Sequence, residues 1–272
     1  MSEPLPLSLV IITRDAAHKL ADCLASVAFA AETIVVDSGS RDDTAALATR
    51  SGARVIEHAW EGFGPQKNFA VGAARHDWVL CLDADERVTP ELAAAVRALF
   101  AGDAPSASAC AEPAAAAYSE PAAAAYSIAR RNRFLGRWLA HGEGYPDWNV
   151  RLFDRRRARW SADLVHEKVV TDGPVVRLRG DLLHASAESI DAYIAKQNRY
   201  TTVQATAMHA RGERASVVQL VLSPVARFLR FYVLRLGFLD GAAGFAHIAI
   251  GAFASFLKYA KLRALQSGGR TR

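Results

Sequence analysis

Three short apolar runs mark the first part of the chain: LSLVIIT at residues 7–13, ETIVVD at 32–37 and WVLCLD at 78–83. Each is a nearly continuous apolar segment that ends in a polar residue, which is typical of a parallel strand buried on both faces. Apolar residues at helical spacing lie between the runs, so strands and helices alternate along the chain. This alternation predicts an α/β domain with helices on both faces of its sheet.

The carboxyl ends of these strands hold the candidate binding residues, because ligands of open α/β sheets bind at that edge. Asp83 and Asp85 end the third run with one residue between them, so both carboxylates can reach one hard cation such as Mg²⁺ or Mn²⁺. Such a cation neutralises a diphosphate leaving group. A simpler interpretation is the N-cap and first turn of the helix that begins near Thr89.

Two more residues at this edge also have two interpretations. Asp37 precedes Ser38-Gly39-Ser40 and is placed to bind a base or a ribose, although the same sequence is an ordinary turn. Lys67 lies near the start of a helix predicted at 66–74, after a break at Gly64-Pro65, and it faces either phosphate or solvent. Because such residues occur at three strand ends of one sheet, together they favour a nucleotide site.

Composition and charge limit the function classes. The 272-residue chain is 51% apolar, which suffices for a sizeable core and excludes a disordered chain. Its three cysteines lack metal-ligand spacing and an even count, so we expect a reducing, cytoplasmic compartment. The N-terminus lacks the basic start and long apolar run of a signal peptide. Residues 1–195 have 21 Lys and Arg against 26 Asp and Glu, whereas residues 196–272 have 12 against 2.

Composition divides the chain into four segments: an alternating α/β segment at 1–100, a low-complexity insertion at 101–125, an Arg-, Trp- and His-rich segment at 126–195 and a basic helical segment at 196–272. The octapeptide EPAAAAYS occurs twice in tandem, at 112–119 and 120–127, which is too few copies for a repeat fold. We expect the fold to resume at the second Ala-Tyr-Ser. The third segment predicts antiparallel strands beside a site.

The first segment resembles the nucleotide-binding half of family 2 glycosyltransferases, which have the GT-A fold. The matching motifs occur in the family's order over about residues 7–100: LSLVIITRDAAHKLADCLASV, IVVDSGSRDDT, GFGPQKNFAV and WVLCLDADE. The resemblance implies a mixed sheet with Thr13, Asp37 and Ser38 binding the nucleotide. It also implies that Asp83 and Asp85 bind ribose, metal and diphosphate, with Lys67 a further nucleotide-sugar contact.

The later segments are similar to the lipopolysaccharide core glucosyltransferase subgroup of that family. The similar stretches are FLGRWLAHGEGYPDWNVRLF, LVHEKV and GFLDGAAGFAHIAIGAFASFLKYAKL. The resemblance implies an inverting transfer of glucose from UDP-glucose to the inner core of lipopolysaccharide or a related cell-envelope glycolipid, with Mg²⁺ or Mn²⁺ as cofactor. The residues themselves leave galactose and an ADP-linked heptose open as donor sugars.

Inversion by direct displacement needs one general base, and a carboxylate suffices because the acceptor proton leaves as the glycosidic bond forms. The resemblance places this acid downstream of the aspartate pair, at Asp147, and Trp148 beside it is placed to stack on a sugar ring. Glu167 is the alternative base, and His166 is a candidate for the metal or the diphosphate. Arg131 belongs to a group of arginines that fits acceptor phosphates or carboxylates, or else a solvated basic surface.

The last segment combines positive charge with apolar stripes. Helices are predicted at 190–210, 217–236 and 242–262, and the run 241–257 has no full charge. This run is at the lower limit for a membrane span and is rich in Ala and Gly. We therefore expect an interfacial helix at the inner face of the cytoplasmic membrane, drawn to anionic lipid. Packing on the catalytic domain or in a dimer is the alternative.

Other functions fit the sequence less well. A polyprenyl-phosphate glycosyltransferase needs no base, because its acceptor is already an anion, so a requirement for Asp147 separates the two enzymes. A non-catalytic nucleotide-sugar-binding module would not need to keep the carboxylates of Asp83, Asp85 and Asp147, so their presence favours an enzyme. A dinucleotide-dependent oxidoreductase requires a glycine fingerprint where this chain has Thr13-Arg-Asp15. The basic tail has no recognisable nucleic-acid-reading motif, so we expect no nucleic-acid partner.

Overall fold

The computed structural model describes residues 3–101, 121–161, 167–185 and 189–268. The chain forms two compact units, of which unit 1 comprises residues 1–130 and 148–184 and unit 2 comprises residues 131–147 and 185–272. The boundary between the units therefore falls inside the segment that composition assigns to 126–195. In unit 2, the N–H of Gly142 donates to the carbonyl of Arg235 (2.9 Å), which ties residues 131–147 to the C-terminal helices.

The elements follow the alternating order that the sequence predicts. The strands are β1 (Leu5–Thr13), β2 (Ala30–Asp37), β3 (Arg54–Glu57), β4 (Trp78–Asp83), β5 (Glu86–Val88), β6 (Ala125–Phe134), β7 (Arg137–Trp138), β8 (Asp147–Asp154), β9 (Ala158–Trp160), β10 (Val169–Thr171) and β11 (Val175–His184). The helices are α1 (Ala17–Ser26), α2 (Thr44–Arg50), α3 (Phe63–Gly72), α4 (Pro90–Phe100), α5 (Ile190–Ala210), α6 (Val217–Leu229) and α7 (Gly241–Gly268). A π-helical turn (Arg230–Leu234) and a 3-10 turn (Gly237–Asp240) connect α6 to α7.

One mixed sheet organises unit 1, with the strand order β3-β2-β1-β4-β8-β6-β11-β5. Strands β3, β2, β1 and β4 are parallel, whereas β8 is antiparallel to β4 and β5 is antiparallel to β11. In unit 2, β7 pairs with the end of β6. Strands β9 and β10 form a separate two-stranded antiparallel ladder. The predicted α/β class with a mixed sheet and a C-terminal helical region is confirmed.

The core explains why β1 is apolar throughout. Leu7, Leu9 and Ile11 point into one buried cluster with α1 and α4, whereas Val10 and Ile12 point into a second cluster with α3. A strand covered on both faces needs apolar residues at every position. The prediction of helices on both faces of the sheet is therefore confirmed.

The predicted break before α3 is wrong. Gly64 and Pro65 lie within the first turn of α3, which begins at Phe63 and not at Gln66. Proline is accepted there because an N–H in the first turn has no intrahelical partner. The earlier start places both Gln66 and Lys67 on the second turn of the helix.

Gly180 in β11 makes a close approach that no other residue type can make. Its φ is +87°, and a Cβ atom at this position would lie 2.3 Å from the backbone nitrogen of Leu92 in α4. A side chain here would force the helix away from the sheet. Gly52 offers a matched comparison, because its φ is +82° with nothing within 4 Å of the Cβ position.

We expect Gly180→Ala to lower the free energy of unfolding by about 1–3 kcal/mol more than Gly52→Ala, because only Gly180 adds overpacking to the left-handed backbone. Urea unfolding of the two variants measures the difference. Equal losses of unfolding free energy in the two variants would contradict the prediction. They would mean that α4 shifts to make room for the methyl group at no cost, so that only the strain of the left-handed backbone destabilises each variant.

Unit 2 is built on three helices. Helix α5 has the predicted bounds, with Ser189 as its N-cap, and α6 begins with a capping box between Ser216 and Gln219. By length and composition alone, two stretches are long and apolar enough to cross a membrane, Val217–Leu234 and Gly237–Ser267. None of the first window is buried inside the protein, whereas half of the second window is.

Candidate active site

The parallel strands β1, β2 and β4 end side by side. Thr13 is in register with Asp37, and Ile12 is in register with Asp83. The N–H of Ser38 donates to the carbonyl of Thr13 (3.0 Å), so the ladder continues past the end of β2. The structure therefore brings Thr13, Asp37, Ser38 and Asp83 to one edge of the sheet.

Thr13 presents a buried hydroxyl at this edge. The residue is 7% exposed, and within the described part of the chain its Oγ1 has no hydrogen-bond partner. A buried polar atom without a partner is unfavourable unless a ligand or water binds it. The position is the one at which the family resemblance expects the nucleotide.

The carboxylate of Asp37 organises its own turn. It accepts hydrogen bonds from the N–H of Gly39 (3.1 Å), from the N–H of Ser40 (2.8 Å) and from the Ser40 hydroxyl. The structure therefore contains the turn that the simpler interpretation of this sequence predicts. Binding of a base or ribose by Asp37 stays a prediction.

Helix α3 reaches the edge of the sheet through Gln66, which the sequence did not single out. The fully buried Gln66 amide donates to the hydroxyl of Ser38 (3.0 Å) and to the carbonyl of His58 (3.2 Å). Its Oε1 lies 3.0 Å from Nδ1 of His58. Gln66 therefore fixes Ser38 and the end of β3 relative to one another, and its burial in a helix next to Lys67 is the only local sign of this role.

Lys67 connects two of the predicted site carboxylates. Its Nζ lies 2.9 Å from Oε1 of Glu167 and 3.4 Å from Oδ1 of Asp83, and the residue is only 5% exposed. The same ammonium lies 4.3 Å from the centre of the Trp160 ring. A buried ammonium with two carboxylates and an aromatic face is held in place, so the solvated interpretation of Lys67 is wrong.

Arg151 in β8 is a site residue that sequence reasoning missed. Its Nη2 donates to Oδ2 of Asp83 (2.8 Å) and to Oε1 of Glu86 (2.6 Å), and both Arg151 and Glu86 are buried. Arg130 adds a second, longer contact to Glu86 (3.5 Å). Its position in the apolar run Val150-Arg-Leu-Phe153 was the available signal, because a charge in a buried strand needs a partner.

These contacts control the ionisation of the cluster. Burial by itself would raise the pKa of Asp83, but Arg151 and Lys67 outweigh it and hold the pKa well below its usual range. Burial of Arg151 would lower its pKa, but the two carboxylates outweigh this and raise it. The pKa of Glu86 lies above its ordinary value, because its burial outweighs the attraction of Arg151. Asp83 and Arg151 are therefore a fixed ion pair at the end of β4.

The two predicted metal ligands have different partners. The oxygens of Asp83 lie beside Lys67 and Arg151, and Oδ1 of Asp85 lies 3.6 Å from Nε2 of His184, at the end of β11. The described residues contain no group of three or more His, Cys, Asp or Glu side chains that could hold a metal ion. Mg²⁺ commonly takes only one or two protein ligands beside substrate phosphates, so Asp85 with His184 fits a cation that is completed by a diphosphate.

Two predicted acceptor-side residues belong to unit 2. Asp147 is the half-buried first residue of β8 and follows the loop at 139–146. Arg131 supports this loop, because its Nε donates to the carbonyl of Leu139 (3.1 Å) and its guanidinium lies 5.5 Å from the centre of the Tyr145 ring. The structure thus gives Arg131 a role in shaping the loop that precedes Asp147.

The other predicted acceptor-side residues belong to unit 1. Trp148 is 39% exposed, and the guanidinium of Arg177 lies 4.6 Å from the centre of its ring. His166 lies outside the described residues. Of the arginines that follow β8, Arg156 pairs with Asp77 (3.0 Å) and Asp154 (2.8 Å), and binding of the acceptor by this group stays a prediction.

The sequence of the chain is similar to those of known glycosyltransferases. The sequence model of glycosyl transferase family 2 matches residues 8–119. The lipopolysaccharide core biosynthesis glycosyltransferase LpsC of Rhizobium meliloti is 31% identical over 269 residues, which cover 96% of this chain and 93% of LpsC. The uncharacterized glycosyltransferase RT0209 of Rickettsia typhi is 30% identical over 97% of this chain and 89% of its own length.

Solved structures resemble the chain in part. Mannosyl-3-phosphoglycerate synthase from Rubrobacter xylanophilus matches with a TM-score of 0.45 and 17% identity over 78% of this chain and 77% of that chain. Glucosyl-3-phosphoglycerate synthase from Mycobacterium tuberculosis, in complex with Mn²⁺, UDP-glucose and phosphoglyceric acid, matches with a TM-score of 0.30 and 26% identity over 35% and 38%. The family assignment rests on the full-length sequence relatives. The chain belongs to glycosyl transferase family 2 and is a glycosyltransferase.

Proposed function

We propose that this glycosyltransferase moves a sugar, with inversion, from a nucleoside diphosphate donor to a hydroxyl of the lipopolysaccharide inner core or a related envelope glycolipid. The convergence of three strand ends supports the donor site most strongly, with an unpaired buried hydroxyl at Thr13 and a Lys67-bound carboxylate at Asp83. The relationship to LpsC supports the acceptor class. UDP-glucose is the donor that the subgroup resemblance favours.

The proposed chemistry is a single displacement. The acceptor oxygen attacks the anomeric carbon, the bond from that carbon to the diphosphate breaks, and the acceptor proton passes to the carboxylate of Asp147. Mg²⁺ or Mn²⁺ held by Asp85 with His184, and by Asp83 as the family resemblance implies, would supply positive charge to the leaving diphosphate. Lys67 and Arg151 keep Asp83 ionised and fixed at the same edge. Glu167 is a weaker candidate for the base because Lys67 already holds its carboxylate.

We expect one nucleotide sugar to release its nucleoside diphosphate in the presence of Mg²⁺ or Mn²⁺, with release stimulated by deacylated lipopolysaccharide core. EDTA should lower the release of nucleoside diphosphate to background, because no metal ion then neutralises the negative charge of the leaving diphosphate. Excess metal should restore the release. A coupled nucleotide assay on a panel of donors measures each rate.

Each outcome of this assay bears on a different part of the proposal. Release that is unaffected by EDTA would contradict the proposed metal requirement but not the proposed transfer reaction. No release from any donor, with every acceptor, would overturn the proposed reaction and favour a nucleotide-sugar-binding module. Stimulation by polyprenyl phosphate alone would replace the acceptor class.

A further inference from the structure

Helix α6 and the turns after it expose apolar side chains that soluble proteins normally bury. The residues Val218, Leu222, Val225, Leu229, Leu234 and Phe238 form what is here named the apolar surface. Val218 is 62% exposed and Leu234 is 78% exposed. Contacts between the rings of Phe228, Tyr232 and Phe245, and between Tyr232 and Phe238, connect the end of α6 to the start of α7.

Helix α7 exposes an aromatic stripe formed by Phe245, Phe253 and Phe256. Its buried side combines apolar residues with two polar residues, His247 and Ser255. A helix of a water-soluble protein normally turns its large apolar side chains to the core. The exposed rings of α7 therefore leave an apolar face that lipid can cover.

Helices α6 and α7 also pack against each other as helices in lipid do. The hydroxyls of Ser223 and Ser255 lie 2.7 Å apart between them. Gly244 and Gly251 lie on the inner side of α7, where a Cβ would come 2.4 Å from the carbonyl of Gly237 in the 3-10 turn and 2.6 Å from the Glu143 carboxylate of the loop at 139–146, respectively. Small residues on the packed side of a helix and a polar contact between two helices are typical of packing in a membrane.

Charge selects the kind of lipid. From residue 214 to the C-terminus the sequence has nine Lys and Arg and one acid, Asp240, which is 1% exposed. Arg214 and Arg230 are exposed. A basic segment with an exposed apolar side is attracted to anionic headgroups before its apolar residues insert.

We propose that the apolar surface docks on an anionic lipid bilayer and inserts its side chains at the interface without crossing it. Arg227 and Arg230 argue against a span, because they lie in the middle of the window Val217–Leu234, where a charge is unfavourable. Arg227 also pairs with Glu143 of the loop that precedes Asp147. The proposal rests on the proposed function only for its glycolipid acceptor.

Docking would anchor the acceptor-side loop near the lipid. The buried carboxylate of Asp240, which directly precedes α7, accepts from the N–H groups of Ala140 (3.0 Å) and His141 (2.8 Å). The carbonyl of Arg235 accepts from the N–H of Gly142 (2.9 Å). The segment that exposes the apolar surface therefore also fixes the loop that precedes the proposed base, Asp147.

The test is flotation of the full-length protein with vesicles of phosphatidylethanolamine and phosphatidylglycerol, with phosphatidylcholine vesicles for comparison. We expect the wild type to float with the anionic vesicles. The triple variant Leu222→Glu, Leu229→Glu, Leu234→Glu should partition at least about tenfold less, because three inserted side chains are lost. Arg214→Glu with Arg230→Glu should weaken binding to anionic vesicles and leave the weak phosphatidylcholine binding unchanged.

Val175→Glu is the matched control, because Val175 is a similarly exposed apolar residue (46%) in unit 1. It should float as the wild type does. The triple variant should keep its circular dichroism, its melting temperature and its transfer to water-soluble deacylated core, so a failed fold or a failed transferase is distinguishable from failed docking.

Two outcomes would overturn the proposal. One is a triple variant that floats as well as the wild type. The other is a wild type that stays with the soluble fraction; if that wild type is dimeric by light scattering and the triple variant is monomeric, the apolar surface is assigned to a second copy of the chain.

Discussion

Asp147→Asn is expected to lower the rate of sugar transfer by about 10²- to 10⁴-fold, the usual contribution of a general base. Asparagine keeps the shape of the side chain and cannot accept the acceptor proton. Donor binding should be unchanged, because Asp147 is not one of the proposed donor contacts, Thr13, Asp37 and Asp83. The measurement is single-turnover transfer to deacylated core, together with titration of the donor diphosphate.

Asp172→Asn is the matched control, because it makes the same chemical change at an exposed turn of unit 1, and it should transfer at the wild-type rate. Glu167→Gln tests the alternative base. It should change donor affinity through Lys67 more than it changes the rate of transfer. An active Asp147→Asn combined with an inactive Glu167→Gln would move the role of base to Glu167.

Arg151→Met is expected to lower the free energy of unfolding by about 3–5 kcal/mol, the range for removing one partner of a buried ion pair. Arg151 holds Asp83 at 2.8 Å and the fully buried Glu86 at 2.6 Å. Methionine fills part of the space and leaves the Glu86 carboxylate with the 3.5 Å contact to Arg130 and the hydrogen bond from the N–H of Asp83 (3.0 Å), neither of which replaces the close guanidinium. Chemical denaturation with tryptophan fluorescence measures the loss.

The double variant Arg151→Met, Glu86→Gln should lose less stability than the two single losses added together, because it removes the charge that the first substitution leaves unpaired. Arg75→Met is the control at a surface pair. Its guanidinium lies 3.6 Å from Glu32 with its side chain 76% exposed, so we expect a change of about 1 kcal/mol or less. A loss of only about 1 kcal/mol in Arg151→Met, as small as the loss expected for Arg75→Met, would contradict the prediction and show that water replaces the guanidinium.

The edge of the sheet was predictable because it depends on local patterns. Continuous apolar runs define β1, β2 and β4, and the carboxyl ends of neighbouring parallel strands must meet. Asp37 and Asp83 therefore come to one edge whatever the loops between them do. The bounds of α5 were predictable for a similar reason, since Ser189 caps a periodic segment that ends before Gly212.

The charged interior of the site was not predictable in the same way. Arg151 reaches Asp83 across 68 residues of sequence, and it does so because β8 pairs with β4 in antiparallel orientation. His184 reaches Asp85 because β11 pairs with β5. Strand pairing over such distances has no local sequence signal, so one arginine among many and one histidine at a strand end could not be assigned.

The sequence predicted the two stripes of α7 and made no prediction of the orientation of the helix. The sequence separates a stripe with His247 and Gly251 from a stripe with Phe245, Phe253 and Phe256. Periodicity cannot say which stripe faces the protein. The structure buries the first and exposes the second, and it also exposes α6, so the candidate lipid contact includes α6 as well as the predicted last helix.

Inverting transfer leaves the added sugar with the anomeric configuration opposite to that of the nucleoside diphosphate donor. The configuration can be measured by NMR of deacylated core after incubation with the enzyme, metal and UDP-glucose. We expect one added hexose in β linkage from the α-linked donor, formed about 10²- to 10⁴-fold more slowly with Asp147→Asn. An α-linked product would contradict single displacement with Asp147 as its base, and an unmodified acceptor under every donor would contradict the transfer itself.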